Sequence, residues 1–238
     1  MTEINTSNIP EELKSESFML WRLEQREGHQ TKPPINPSSG FKGNVNDPKQ
    51  WTDFANALRI HKGGRFHTNG IGVVLHPDSE LVGLDLDKCI SEGDFSDDVK
   101  EILKKVCSYS EISPSGNGIR IFLYGKLPGK RRRSENFECY DEGRYLTVTG
   151  NHIPGTPKVI NSDQGVIDWF HQKFIAIAKD EDSSEIEFRE TNVEKEIVQV
   201  EPASVVSKLQ VNKIIHQILS SRQKDKFERL FEGNTAGY

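Results

Sequence analysis

The sequence has few cysteines, no long hydrophobic run and no secretion signal, and each absence excludes a class of protein. Its three cysteines, Cys89, Cys107 and Cys139, form no CxxC pair, so neither a disulfide framework nor a common zinc knuckle is indicated. The apolar runs are only a few residues long, too short to cross a bilayer. The first 14 residues lack the basic and apolar regions of a signal peptide. We therefore expect a protein of a reducing cytoplasm with no membrane partner.

Two enzyme signatures are missing as well. No histidine pair of the HxH or HExxH type occurs, so zinc is not predicted as a cofactor. No GxxxxGK[ST] segment occurs, so the chain carries no P-loop ATPase.

Charge is distributed unevenly along the chain. The formal net charge of −5 argues by itself against a nucleic-acid partner, but nine acids and two bases fall within residues 180–201. Residues 1–179 are nearly neutral, with 24 acids and 23 bases, and contain the basic cluster GKLPGKRRR at 125–133. A local patch of this kind can bind phosphates whatever the charge of the whole chain.

Hydrophobic periodicity predicts an α+β protein. Near the N-terminus we predict a short helix capped by Asn8, a strand-like run, a loop over 31–50 and an amphipathic helix with Trp51 and Phe54 on its apolar face. Strand patterns follow at 70–75, 81–87, 119–125, 137–141 and 145–150. The first two of these strands are expected to form a hairpin. Helices are predicted over 97–110 and 163–178, packed mainly on one side of an open sheet.

The stretch LVGLDLDKCI, residues 81–90, places two aspartates in an apolar strand. Residues two apart in a strand share a face, so Asp85 and Asp87 point away from the side that carries Leu84 and Leu86. Two like charges on one face destabilise a strand unless a positive charge lies nearby. A strand end that enters a turn is the ordinary interpretation. The functional interpretation is a divalent-metal site, because Mg²⁺ and Mn²⁺ prefer carboxylate oxygens.

A metal site of this kind usually needs a third carboxylate from a neighbouring strand. Two bound ions, about 3.5–4 Å apart, activate an attacking hydroxyl and neutralise a leaving group. Glu138 meets the requirement, because it is a lone acid between Phe137 and Cys139 in a strand pattern. Asp141 is the reserve choice. It lies in a predicted turn before Gly143, where aspartate is common for structural reasons, so its presence indicates a metal ligand less strongly.

The segment SPSGNGIRIF, residues 113–122, combines serines and glycines immediately before a strand. Backbone N–H groups of such a loop can approach a phosphate closely, although many Gly-x-Gly pairs are only turns. The candidate nucleotide-binding residues in this loop are Ser113, Ser115, Gly116, Asn117 and Gly118.

Two arginines and a basic loop complete the candidate set. Arg120 follows the glycine loop and could hold a triphosphate as a charge-assisted donor, with an ordinary surface position as an equal alternative. Arg144 follows a turn glycine shortly after Glu138. The cluster at 125–133 is interpreted as a basic hairpin loop, with a solvated charged loop as the alternative. Its candidate DNA-binding residues are Lys130, Arg131, Arg132 and Arg133.

These motifs, in their order and spacing, resemble the primase-polymerase branch of the archaeo-eukaryotic primase superfamily, found in phage and plasmid replication proteins. NIPEELK and TKPPINPSSG resemble the opening of that family, where a lysine–proline loop precedes a Trp-bearing helix. GIGVVL with LVGLDLDKC resembles its first metal motif, EISPSGNGIRIF its nucleotide-binding motif, and FECYDEGRYLTVTGN its third motif. Each motif alone is weakly specific, but three in order over most of the chain are strongly so.

The resemblance implies a fold and an activity. The fold would be an RRM-like catalytic sheet beside a smaller α/β subdomain. The activity would be template-directed nucleotidyl transfer, as a DNA primase or DNA polymerase, with two Mg²⁺ or Mn²⁺ ions. The partners would be a single-stranded DNA template, a primer, and dNTPs or NTPs. Lys32 and the loop 126–133 would contact the backbone of the template or primer.

Individual residues match the family's motifs. Asp85, Asp87 and Glu138 match its metal-binding carboxylates. The nucleotide motif and the third motif are matched by Ser113, Ser115, Gly116 and Arg144. The nucleotide motif of the family usually ends in a histidine that contacts the incoming triphosphate, and this chain has Arg120 there. Retained nucleotide binding, an altered substrate preference and a weakened enzyme are all compatible with that substitution.

The resemblance also suggests a domain organisation. Residues 1–179 would form the catalytic domain, 180–202 an acidic linker, and 203–238 a helical accessory segment. The last residues, KFERLFEGNTAGY, resemble the junction at which such proteins continue into a helical region and often a helicase. We therefore expect an N-terminal piece of a longer replication protein of a bacterial or phage-infected cell, with a helicase region of the same protein as a partner.

Two other functions remain open at this point. The domain could be a catalytically weakened module that binds single-stranded DNA or an origin, which Arg120 and the nearly neutral body favour and the three carboxylates disfavour. A nicking initiator would need a paired-histidine metal motif, and the sequence has none.

Overall fold

The structure, a computed structural model, describes residues 3–91 and 93–176. The helices are α1 (Glu11–Lys14), α2 (Phe54–Lys62), α3 (Asp97–Val106) and α4 (Gln164–Phe170), the last continued by a π-helical turn over His171–Ile175. The strands are β1 (Phe18–Trp21), β2 (Glu24–Arg26), β3 (His29–Thr31), β4 (Pro34–Ile35), β5 (Gly70–Leu75), β6 (Leu81–Leu86), β7 (Ile90–Ser91), β8 (Asp94–Phe95), β9 (Ser110–Ile112), β10 (Ile119–Tyr124), β11 (Phe137–Tyr140) and β12 (Arg144–Val148). Within these residues, every helix is too short or too polar to span a membrane.

Two four-stranded antiparallel sheets form the framework. The first has the strand order β12-β5-β1-β4, and the second has the order β11-β6-β10-β9. Two short antiparallel pairs, β2 with β3 and β7 with β8, lie outside these sheets. The α+β class predicted from the sequence is confirmed. The finer RRM-like description stays a prediction.

Two predicted connections are wrong. The sequence predicts a hairpin between β5 and β6, but these strands belong to different sheets, and a 3₁₀ turn over Pro77–Ser79 joins them. The basic loop over 125–133 is not a hairpin loop either, because β6 lies between β10 and β11. Strands that are buried on both faces carry no alternation that could identify their partners.

The second sheet separates two hydrophobic cores. On one face, Leu84 and Ile121 pack against α3 and α4. On the other face, Phe122 packs in a cluster with Leu75 of the first sheet. Successive side chains of a strand alternate between faces, so Asp85 lies on the face that the first sheet covers.

Gly83 allows the two sheets to approach each other. A Cβ atom at this position of β6 would lie 2.3 Å from Cδ1 of Leu146 and 3.2 Å from Cδ1 of Leu75. The first distance is far shorter than a carbon–carbon contact of about 3.5–4.0 Å. Asp85 is the next residue of β6 on the same face, so its carboxylate lies beside the contact between the sheets.

Several helix ends differ from the predictions. Asp53 caps α2 by accepting a hydrogen bond from the backbone N–H of Asn56, so Trp51 lies in the extended chain before the helix and not on its apolar face. Asn8 does not cap α1, because its side-chain amide donates instead to the carbonyl of Gly150 over 3.1 Å. A contact with a distant segment thus engages the side chain of Asn8, which the local pattern predicts to be a helix cap.

The later helices agree more closely with the sequence. α3 ends at Val106, earlier than predicted, where Cys107 adopts a left-handed conformation with φ of 47°. α4 and its π-helical turn occupy most of the helix predicted over 163–178. The predicted acidic linker over 180–202 and helical segment over 203–238 lie outside the described residues.

Candidate active site

A row of charged side chains crosses the second sheet. Asp85 on β6 lies directly opposite Glu138 on β11 and, on its other side, opposite Arg120 on β10. Arg120 in turn lies opposite Glu111 on β9. Side chains opposite each other in a ladder share a face, so the four form one line, Glu138–Asp85–Arg120–Glu111. The positive charge that the aspartate pair requires is therefore supplied by Arg120.

Asp85 and Arg120 form a buried ion pair. Nη1 of Arg120 donates to Oδ1 of Asp85, and the side chains are only 8% (Arg120) and 14% (Asp85) exposed. Burial raises the pKa of Asp85 to about 6, opposed by Arg120 and reinforced by the carboxylates of Asp87 and Glu138. Nε of Arg120 is buried and has no hydrogen-bond partner among the described residues. The guanidinium therefore has an unused donor beside the carboxylates.

Glu138 is the third carboxylate that the strand register places at Asp85. Its Oε2 accepts a hydrogen bond from the Tyr140 hydroxyl over 2.7 Å, and Nε of Arg133 lies 3.9 Å from its Oε1. The reserve candidate, Asp141, lies beyond the end of β11 and pairs with Arg132 over 3.3 Å. The register therefore places Glu138, and not Asp141, opposite Asp85.

Asp87 and the glycine loop meet at the end of β6. Backbone hydrogen bonds from Ser113 N–H to Gly118 O, 2.8 Å, and from Gly116 N–H to Ser113 O, 2.9 Å, close the loop. A Cβ atom on Gly118 would lie 2.8 Å from the Leu86 carbonyl oxygen and 3.4 Å from Oδ1 of Asp87. Only glycine allows this approach, so the loop is held against the aspartate pair.

The tip of the glycine loop is exposed. Ser115, Gly116 and Asn117 are open to solvent, whereas Ser113 and Gly118 are buried. The hydroxyls of Ser113 and Ser115 are 2.9 Å apart, and the Asn117 carbonyl accepts the N–H of Cys89 over 2.9 Å. The loop is thus tied to the chain that follows β6, and its buried end at Gly118 lies against Asp87.

Lys32, which the sequence predicts to contact DNA, lies within electrostatic range of Asp85 and Asp87. It is half-buried, and burial together with Arg120 lowers its pKa, while Asp85 and Asp87 act in the opposite direction. Its carbonyl accepts a hydrogen bond from the hydroxyl of Tyr145 on β12. Lys32 and Arg120 therefore provide two cations within electrostatic range of the aspartate pair.

Arg144 reaches the site indirectly. It is exposed on β12 in the first sheet, and its guanidinium carbon lies 4.9 Å from the centre of the Tyr140 ring. Tyr140 is the residue that donates to Glu138. A tyrosine thus connects the arginine to the row of charges.

The basic loop is divided between the site and solvent. Arg132 pairs with Asp141, and Arg133 reaches Glu138, as described above. Lys130 and Arg131 are exposed and make no ion pair within the described residues. The loop therefore has cations that neighbouring acids do not neutralise.

Carboxylates of this kind match the preference of Mg²⁺ or Mn²⁺, and Asp87 and Glu138 both act electrostatically on Asp85. Within residues 3–91 and 93–176, however, no three acidic, histidine or cysteine side chains are grouped closely enough to hold an ion. Arg120 holds Asp85 and Tyr140 holds Glu138, which accounts for the separation. The donor chemistry fits a divalent ion, and binding one requires these side chains to shift.

Sequence reasoning missed Glu111 and Tyr140. The Glu111 carboxylate is fully buried and accepts the N–H groups of Thr149 and Gly150, each over 2.9 Å, and the hydroxyl of Tyr109 over 2.8 Å. Burial raises its pKa. Tyr109 and Glu111 are two residues apart, which in an extended chain places them on one face, and this spacing was the available signal in the sequence. The backbone N–H groups that Glu111 accepts, however, belong to Thr149 and Gly150, which are distant in sequence.

No protein-family model matches the chain. The sequence is 32% identical over 163 residues to a curated protein named DNA primase-polymerase, from Nitratiruptor phage NrS-1. That match covers 64% of this chain and 22% of the phage protein, so the chain matches about a fifth of the length of this relative. The similarity agrees with the family resemblance that the motifs indicate.

Proposed function

We propose that this chain carries out template-directed nucleotidyl transfer, adding nucleotides to a primer on single-stranded DNA in phage or plasmid replication. The observation that carries the proposal is the row in which Asp85 lies between Glu138 and Arg120, with the glycine loop held against Asp87. The named relative supports the reaction class, because it is a DNA primase-polymerase. A helicase region elsewhere in the full-length protein remains part of the proposal.

In this proposal Asp85, Asp87 and Glu138 would hold one or two Mg²⁺ or Mn²⁺ ions. Such ions lower the pKa of an attacking 3′-hydroxyl and neutralise charge on the phosphates. The carboxylates provide hard oxygen ligands on one face of the sheet. Arg120 and Glu138 flank Asp85, so a bound ion would replace the guanidinium as the partner of Asp85 and would leave donors of Arg120 free.

The freed donors would then bind the nucleotide. The guanidinium of Arg120 and the ammonium of Lys32 lie beside the aspartate pair and can neutralise the triphosphate. The tip of loop 113–118 is exposed and would offer backbone N–H groups as neutral donors to the same group, apart from that of Gly116, which donates to the Ser113 carbonyl. The guanidinium of an arginine is a hydrogen-bond donor only, so at this position it can bind phosphate but cannot deliver a proton as the family's histidine could.

The test is extension of a labelled primer on a single-stranded template, with dNTPs or NTPs, in Mg²⁺ and in Mn²⁺. The double variant Asp85→Ala/Asp87→Ala should abolish template-dependent products. Asp94→Ala is the matched control, because Asp94 is an exposed acid whose ion pair, among the residues that the structure describes, is with Lys100 at the surface. Extension that is lost in the double variant and kept in the control supports the proposal.

A different result would favour the weakened binding module. In that case no product forms with either metal or either kind of nucleotide, whereas DNA binding is salt-sensitive and unchanged by the double substitution. That outcome would contradict the catalytic role of Asp85 and Asp87 in this chain.

A further inference from the structure

A cleft of about 800 Å³ opens beside the charged row. Four segments line it: the loop before α2, the turn after β5, the basic loop, and the turn between β11 and β12. The residues that matter for its chemistry are Trp51, His76, Lys130, Arg132, Tyr140 and Arg144. The proposed reaction assigns no role to Trp51 or His76.

One wall of the cleft is aromatic. The rings of Trp51 and His76 lie 4.8 Å apart between centroids, tilted by 31°, and both residues are partly exposed. Nε1 of Trp51 donates to the Val45 carbonyl over 3.1 Å, which fixes the indole plane. Nδ1 of His76 has no hydrogen-bond partner among the described residues. No hydrogen bond at that atom therefore holds the ring away from Trp51. A partly exposed aromatic pair of this kind offers a ring face on which a nucleobase can stack.

The other wall is cationic. Lys130 and Arg144 are exposed and make no ion pair within the described residues, whereas Arg132 is paired with Asp141. The guanidinium of Arg144 lies over the Tyr140 ring, which holds it at the edge of the cleft. Two acids also line the cleft, Asp78 and Glu142, and they equal in number the two cations, Lys130 and Arg144, that make no ion pair among the residues that the structure describes.

The cleft is joined to the charged row. Tyr140 lines the cleft and donates its hydroxyl to Glu138, which lies opposite Asp85. A strand that occupies the cleft would therefore pass beside the carboxylates. Stacking on one wall and phosphate contacts on the other are the two interactions that bind single-stranded DNA without sequence preference.

We propose that this cleft binds a short segment of single-stranded DNA, with a base stacked on Trp51 and His76 and the adjoining phosphates held by Lys130 and Arg144. The choice of a DNA strand as the ligand rests on the proposed function. The binding itself does not require the carboxylates, so it can be tested apart from catalysis.

The test is a titration of the full chain with an oligo-dT strand in a chelating buffer, followed by tryptophan fluorescence and by anisotropy of a labelled strand. The chain has three tryptophans, of which Trp21 is buried and Trp169 packs against Phe174. DNA should quench the fluorescence of the unmodified chain. Trp51→Phe should remove most of the quenching, and Trp169→Phe, the matched control, should retain it.

Affinity gives an independent readout. Trp51→Ala should weaken oligo-dT binding by about 5- to 100-fold, the range expected for loss of one stacked base. Lys130→Ser should weaken it less and reduce the dependence of the dissociation constant on salt. Urea unfolding of each variant shows whether it is folded, and Trp51→Phe keeps an aromatic ring should Trp51→Ala fail to fold.

The outcomes separate this inference from the proposed function. Quenching that depends on Trp51 in the inactive Asp85→Ala/Asp87→Ala variant supports the cleft even if the unmodified chain extends no primer. Primer extension by a Trp51→Phe variant with unchanged DNA affinity and unchanged quenching would overturn the cleft and leave the reaction intact. Quenching by dTTP alone that oligo-dT does not displace would also overturn it, because the cleft would then bind free nucleotides.

Discussion

Replacing Asp85 with asparagine removes a buried charge that lies between Glu138 and Arg120 in the row. Burial and the neighbouring carboxylates raise the pKa of Asp85 from 3.8 to about 6 despite Arg120. The folded protein therefore binds a proton at Asp85 that the unfolded chain has released between about pH 4 and pH 6, and stability falls as pH rises through that window. Roughly two pKa units correspond to about 3 kcal/mol, an upper limit for the cost of the charge at pH 8.

Asparagine keeps the shape of the side chain and can still accept from Arg120. In a chelating buffer at pH 8 we expect Asp85→Asn to be more stable than the unmodified chain by about 1–3 kcal/mol, and near pH 4 we expect no difference. Urea unfolding followed by fluorescence at both pH values measures this. Mn²⁺ at a concentration 100 times the dissociation constant should stabilise the unmodified chain by about 2.7 kcal/mol, because only aspartate offers a ligand oxygen with full charge, and so should offset most or all of the advantage of the variant at pH 8.

An Asp85→Asn variant that is less stable than the unmodified chain at both pH 8 and pH 4 would contradict this prediction. The ion pair with Arg120 would then stabilise the fold more than burial of the carboxylate destabilises it. Asp94→Asn serves as the control, since Asp94 is fully exposed and its pKa is lowered, chiefly by the hydrogen bond from Lys100, whereas that of Asp85 is raised. It should therefore not gain stability at pH 8, and its response to Mn²⁺ should be that of the unmodified chain.

Three further substitutions test the surroundings of the site. Arg120→Ala leaves Asp85 buried without its counterion and should destabilise the protein by about 3–5 kcal/mol at pH 8, and by less at pH 5 where Asp85 is protonated. Glu111→Gln places an amide donor against backbone N–H groups and should cost about 1–3 kcal/mol in urea unfolding. Gly118→Ala brings a methyl group within 2.8 Å of the Leu86 carbonyl oxygen. We expect it to lower both the melting temperature and primer extension, because the loop must move away from β6.

A specific result would contradict each of these predictions. A loss for Arg120→Ala that is as large at pH 5 as at pH 8 would mean that packing, and not the charge of Asp85, is responsible. Unchanged unfolding of Glu111→Gln would mean that its three hydrogen bonds contribute little. A Gly116→Ala variant is the comparison for Gly118→Ala, because a Cβ at Gly116 meets nothing within 4 Å, although its φ of 80° strains any other residue.

The α+β class, the longer strands and the faces of β6 could be predicted from the sequence alone. Period-two alternation is a local property, so Leu84 and Asp85 could be assigned to opposite faces before any partner was known. The same alternation singled out Glu138, and the glycine loop followed from residue types that tolerate a close approach. Local composition also marked the basic cluster as a phosphate-binding candidate.

Which of these residues meet depends on how the strands pair in the folded chain. The register places Arg120 between Asp85 and Glu111, and no local pattern specifies the register of strands that are distant in sequence. Likewise, the cap at Asp53 leaves Trp51 outside the helix, where it can meet His76 from the turn after β5. Strand pairing and burial are long-range properties, so the counterion of the aspartate pair and the aromatic wall beside it exist only in the folded chain.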